Sequence, residues 1–147
     1  MPSILMDKPA ARQVHSAKSE YIPVMYISNP SSTKVMLYFH GNAEDLTMAE
    51  YQMKQISSYC NLSVIGMEYP NYGLYQGNGA PSEEKVKEDA EYLYKFVLHD
   101  MGLQEKDVIV FGRSMGSGPA CWLAGNFNPC ALCVMSGFTS VKRVAAD

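Results

Sequence analysis

The apolar run Val108-Ile109-Val110-Phe111 passes directly into Gly112-Arg113-Ser114-Met115-Gly116. A short β-branched and aromatic run reads as a strand. The G-x-S-x-G after it reads as a tight turn into a helix that starts at Ser114 and runs to about Asn126, with the serine at the tip. A strand followed at once by a helix must return across the sheet, so its neighbours run parallel to it. The same rhythm recurs along the chain. Strand-like runs fall at 21–27, 35–40, 62–69, 108–111 and 131–136. Leu46, Ala49, Met53 and Ile56 share one helical face, and Val86, Ala90, Leu93, Val97 and Met101 share another. Ser82 is placed to cap that second helix, with Glu83 and Glu84 in its first turn. The pattern predicts an α/β fold, a three-layer sandwich around a mostly parallel sheet. The later strands read as covered on both faces. Residues 1–18 lack a pattern and read as a flexible lead-in, and residues 70–81, with Gly73, Gly77 and Gly79, read as a surface loop.

In a parallel sheet the carboxyl ends of the strands share one edge, and ligands bind there. Two features fall on that edge. Ser114 is one, placed as a nucleophile. The helix behind it offers the N–H of Met115 and a positive dipole end to a developing oxyanion. The other is His40-Gly41-Asn42-Ala43, at the end of the run 35–39. A loop at that position supplies a second oxyanion donor, from Asn42 or Ala43. His40 is expected to shape this loop rather than act as a base.

Composition narrows the partners. With 12 basic and 15 acidic residues scattered along 147, the net charge is −3. This argues against nucleic acid or an anionic membrane surface as the main partner. No apolar run is long enough to span a membrane, and the first residues are too short a stretch for a secretory signal. The expected setting is the cytoplasm, with peripheral membrane association left open. The sequon Asn61-Leu62-Ser63 then carries little weight. Cys60, Cys121, Cys130 and Cys133 are expected as free thiols. The Cys130–Cys133 pair has C-x-x-C spacing, but Cys133 lies in an apolar run and reads as a buried strand residue. A zinc site needs four ligands and no second pair exists, so no metal and no cofactor are expected.

The segments YFHGNAEDL, IGMEYPNYGLYQGNGAPSEE, VFGRSMGSGPA and SGFTS, in that order, resemble the α/β-hydrolase superfamily. More narrowly they resemble α/β-hydrolase-domain proteins of the polarity-hydrolase, serine-aminopeptidase and depalmitoylase kind. The resemblance covers about residues 20–147. It implies Ser114 as the nucleophile, Met115, Asn42 and Ala43 as the oxyanion positions, and the segment from Glu68 through Tyr69 and Tyr72 to Gly73 as a loop lining the site beside His40 and Gly41. Gly137 departs from the pattern, where proline is usual.

A larger departure concerns the base. In this fold the acid and histidine follow the serine. After Ser114 the chain has no histidine and no glutamate, and its sole acid is Asp147. His15 lies in the lead-in and His99 closes a helix at the opposite edge. Residues 19–147 therefore read as the N-terminal part of a single hydrolase domain, with the C-terminal strands and helices missing. The expected function is serine hydrolysis of an ester, thioester or amide in a small molecule or an acylated protein. The alternative is a non-catalytic chain with a binding or regulatory role. A nucleotide-binding domain fits poorly, because the glycine spacing matches neither phosphate-loop pattern. The run 131–136 should leave an apolar sheet edge open to self-association.

Overall fold

In the computed structural model, residues 10–15, 21–76 and 81–138 are described, the first six by backbone alone. Six strands form one mixed sheet: β1 (Ala10–His15), β2 (Tyr21–Ile27), β3 (Val35–Phe39), β4 (Ser63–Met67), β5 (Val108–Arg113) and β6 (Ala131–Met135), in the order β1-β2-β4-β3-β5-β6. The pairings β4–β3, β3–β5 and β5–β6 are parallel; β1–β2 and β2–β4 are antiparallel. Three helices cover the sheet: α1 (Leu46–Cys60), α2 (Glu83–His99) and α3 (Ser117–Asn126).

Side-chain alternation divides the core into two layers. Val35, Leu37 and Phe39 of β3 and Val108 and Val110 of β5 point toward α2 and α3, where Ala90, Leu93, Val97, Ala120 and Leu123 meet them. Met36 and Tyr38 of β3 and Phe111 of β5 point the other way, onto Leu46, Ala49 and Met53 of α1. Each fully buried large aliphatic side chain, such as Leu93, contributes about 1.5–3 kcal/mol of transfer free energy. The helix ends carry the expected signals. Ser82 Oγ accepts from the Lys85 N–H at 3.1 Å, and Asp45 Oδ1 accepts from the Met48 N–H at 3.0 Å. Asn61 of the sequon closes α1 in the left-handed conformation at φ 52°, and its N–H donates to the Ser57 carbonyl.

Several expectations are corrected. Within the proposed lead-in 1–18, residues Ala10–His15 form β1, in register with Tyr21–Tyr26 of β2. An edge strand is held by the backbone ladder of its neighbour, which side-chain periodicity does not report. Residues 1–9 and 16–20 lie outside the described ones. Within the proposed surface loop 70–81, Tyr75 is 1 % exposed and its hydroxyl donates to the buried Asp89 at 3.0 Å. Gly77 and Gly79 lie outside the described residues. Met101 falls beyond the end of α2. Cys133, expected to be a buried strand residue, is exposed, as is every residue of β6. That strand ends the sheet, no described strand pairs with its outer edge, and α3 reaches only part of it. Among the described residues no helix is long and apolar enough to cross a membrane, and no group of three His, Cys, Asp or Glu is placed to hold a metal.

Candidate active site

The parallel strands β3, β4 and β5 end side by side. Phe39 pairs with Met67 on one side and with Gly112 on the other. The next residues, His40, Glu68 and Arg113, therefore leave the same sheet edge together, and Ser114 follows. Ser114 has φ 48°, a left-handed conformation that an L side chain adopts at a cost. The flanking glycines make this turn sterically feasible. A Cβ on Gly116 would lie 2.1 Å from the Phe39 carbonyl oxygen, and one on Gly112 would lie 2.3 Å from the Gly116 carbonyl oxygen. Residues Ser114–Gly116 form a short 3-10 turn that leads into α3. Met115 sits in its first turn, where N–H groups have no intrahelical partner. Ser117 is buried and its hydroxyl donates to the Ser114 carbonyl at 2.6 Å.

The His40–Ala43 segment lies against this turn. A Cβ on Gly41 would fall 3.6 Å from Ser114 Cβ. Ala43 is left-handed at φ 58°. Asn42 is exposed, and its Oδ1 accepts from the Tyr72 hydroxyl at 2.6 Å. His40 and Tyr69, expected to line the site, are buried at 0 % and 1 % exposure. The Tyr69 hydroxyl donates to the His40 carbonyl at 2.8 Å, and the two rings pack with centroids 4.2 Å apart. Burial first, then the Glu68 charge, hold the Tyr69 phenol well above its ordinary range.

Both ring nitrogens of His40 are committed. Nδ1 lies 2.9 Å from the Gly41 carbonyl oxygen, and Nε2 lies 2.8 Å from Glu68 Oε1. A carbonyl only accepts, so Nδ1 carries a hydrogen. Neither nitrogen is left for Ser114. His99 closes α2 at the far edge of the sheet.

Glu44 and Arg113 escaped the sequence reading as parts of this edge, and Glu68 entered it only as the start of the lining loop, without its buried partner. Glu68 is 3 % exposed. Glu44 accepts from the Gly41 N–H at 2.6 Å and pairs with Arg113 at 2.5 Å. The signal for Glu68 was a carboxylate directly after the apolar run of β4, where a buried charge requires a partner. For Glu44 and Arg113 nothing local revealed a pairing across 69 residues.

No protein-family model matches the chain. It is 28 % identical over 131 residues to human alpha/beta hydrolase domain-containing protein 17B, covering 88 % of this chain and 45 % of that protein. It is 28 % identical over 137 residues to putative alpha/beta hydrolase L404 of Acanthamoeba polyphaga mimivirus, covering 90 % and 51 %. The chain thus spans about half the length of these relatives. Among solved structures it resembles an esterase of Exiguobacterium antarcticum, with TM-score 0.61, 21 % identity and coverage of 83 % of this chain and 42 % of that one. It also resembles a thermostable carboxyl esterase of Bacillus coagulans, with TM-score 0.68, 16 % identity and coverage of 85 % and 43 %. The strand order, the serine turn and these relatives converge: the chain carries the N-terminal portion of the α/β-hydrolase fold and is similar in sequence to α/β-hydrolase-domain proteins.

Proposed function

We propose that Ser114 is the nucleophile of a serine hydrolase that cleaves an ester, thioester or amide through an acyl-enzyme. The observation that carries this reading is the left-handed Ser114 at the strand-to-helix turn, with Gly41 packed against it. In the reaction Ser114 Oγ bonds to the substrate carbonyl carbon, whose oxygen takes up the negative charge. The N–H of Met115 and that of Asn42 or Ala43 receive the oxyanion, and each such donor is worth on the order of 3 kcal/mol. The serine proton goes to a base and then to the leaving group as its bond to the carbonyl carbon breaks, and water then cleaves the acyl-enzyme to release the acid and restore the Ser114 hydroxyl. His40 does not serve, because Gly41 and Glu68 occupy its ring. After Ser114 the chain holds no histidine, and its one acid is Asp147. The relatives' names support hydrolase chemistry. The substrate is a small molecule or an acylated protein, and the setting is cytoplasmic.

The engagement of both His40 ring nitrogens by Gly41 and Glu68 favours one second reading, a non-catalytic chain with a binding or regulatory role. Fluorophosphonate labelling with added imidazole, a diffusible stand-in for the missing base, separates the two. The hydrolase reading expects slow labelling that imidazole accelerates, mapped to Ser114 and abolished by Ser114→Ala. Label on Ser117, or none on Ser114 with imidazole present, overturns it.

A further inference from the structure

Glu68 touches two ends of one loop. Its Oε1 lies 2.8 Å from His40 Nε2, at the end of β3, and its Oε2 accepts from the Leu46 N–H at 3.1 Å, at the start of α1. One buried carboxylate thus closes the segment 40–46, which packs Gly41 against Ser114 and continues through Asn42 and Ala43. The site around it is shaped to hold the carboxylate. Gly73 has φ 43°, and a Cβ there would lie 2.3 Å from Glu68 Oε2.

The proton count makes the clamp neutral as a unit. Nδ1 of His40 donates to Gly41, so the Nε2–Oε1 contact contains one hydrogen. Either an imidazolium faces a carboxylate, or a neutral imidazole faces a carboxylic acid. Both forms satisfy the buried groups, whereas removing either partner leaves a buried polar atom unpaired.

We infer that Glu68 is a positioning residue: it holds the 40–46 loop so that the Asn42 and Ala43 N–H groups stay beside Ser114. The inference rests on the hydrolase reading for its purpose, but its geometry can be tested apart from it. Glutamine at 68 retains both contacts, because its amide NH2 can donate to a neutral His40 Nε2 while its oxygen accepts from Leu46. Alanine retains neither.

The test compares the full chain with Glu68→Ala, Glu68→Gln and Gly73→Ala. It reads amide hydrogen exchange over residues 41–46 and imidazole-dependent fluorophosphonate labelling of Ser114. Glu68→Ala should speed loop exchange by about tenfold or more while exchange in β3 and β5 changes little. It should slow labelling by a similar factor, and Glu68→Gln should restore both. Gly73→Ala reaches the same bond from the other side, by displacing Oε2, and should also speed loop exchange. It serves if Glu68→Ala does not fold. Unchanged loop exchange in a folded Glu68→Ala or Gly73→Ala chain, or a Glu68→Gln chain as loose as Glu68→Ala, overturns the clamp. Absent labelling of the unsubstituted chain overturns the hydrolase reading instead, and loop exchange still decides the clamp.

Discussion

Gly116 sits against the main chain of Phe39, so close that a methyl group at its Cα would lie 2.1 Å from the Phe39 carbonyl oxygen and 2.7 Å from that of His40. The turn that presents Ser114 and the strand that ends in the His40 loop are therefore locked backbone to backbone.

Alanine tests this lock. Gly116→Ala meets backbone that cannot rotate away, and should destabilise the chain by more than about 3 kcal/mol. Gly118 and Gly125, inside α3, have nothing within 4 Å of an added Cβ. Alanine at either should stabilise by about 0.5–1 kcal/mol. Urea unfolding of the three variants measures the contrast. Equal losses at Gly116 and Gly118 would remove the close approach as the cause.

On small activated esters the chain by itself should show turnover near background. The residual rate comes from binding and oxyanion stabilisation without a base. Steady-state assays of the chain and of Ser114→Ala should differ little. Turnover that matches a full-length esterase and collapses in Ser114→Ala would show that a base lies within these residues.

Self-association should follow from β6. Leu132 and Val134, 42 % and 46 % exposed, lie on one face of a strand whose outer edge no described strand pairs. An uncharged apolar edge templates further pairing. Sedimentation velocity should find oligomers, and Leu132→Lys or Val134→Lys should weaken them by about tenfold or more. A monodisperse unsubstituted chain would refute this.

Stability should decline in alkali. Burial first, then Glu44, push the Tyr38 phenol up to about 12, against the pull of Arg113, and Tyr69 lies well above its ordinary range. Both folded values exceed the unfolded value of about 10, so above that pH the folded state binds more protons. The contribution of these phenols is complete below about pH 10 and is lost as pH rises through the folded values. Unfolding free energies from about pH 9 to about pH 12 should hold level, then fall by about 1.4 kcal/mol per pH unit for each phenol kept neutral. Tyr38→Phe should reduce that slope. An equal slope in the variant would exclude Tyr38 as a source.

Local pattern determined much of this protein. The run 108–111, the glycines beside Ser114, the Ser82 cap and the faces built on Leu46 and on Ala90 follow from chain geometry within one or two turns, so they are legible in order along the sequence. The serine turn and its family resemblance were legible for the same reason. What only the tertiary structure decided depends on which strands became neighbours. Register across β3, β4 and β5 brings His40 beside Glu68 and Glu44 to Arg113, pairs far apart in the chain. The burial of Tyr75 and the exposure of Cys133 depend on what covers each segment, and the β1 strand depends on the backbone of β2. Composition and periodicity report a residue's preference; the partner that satisfies it is set by packing at a distance.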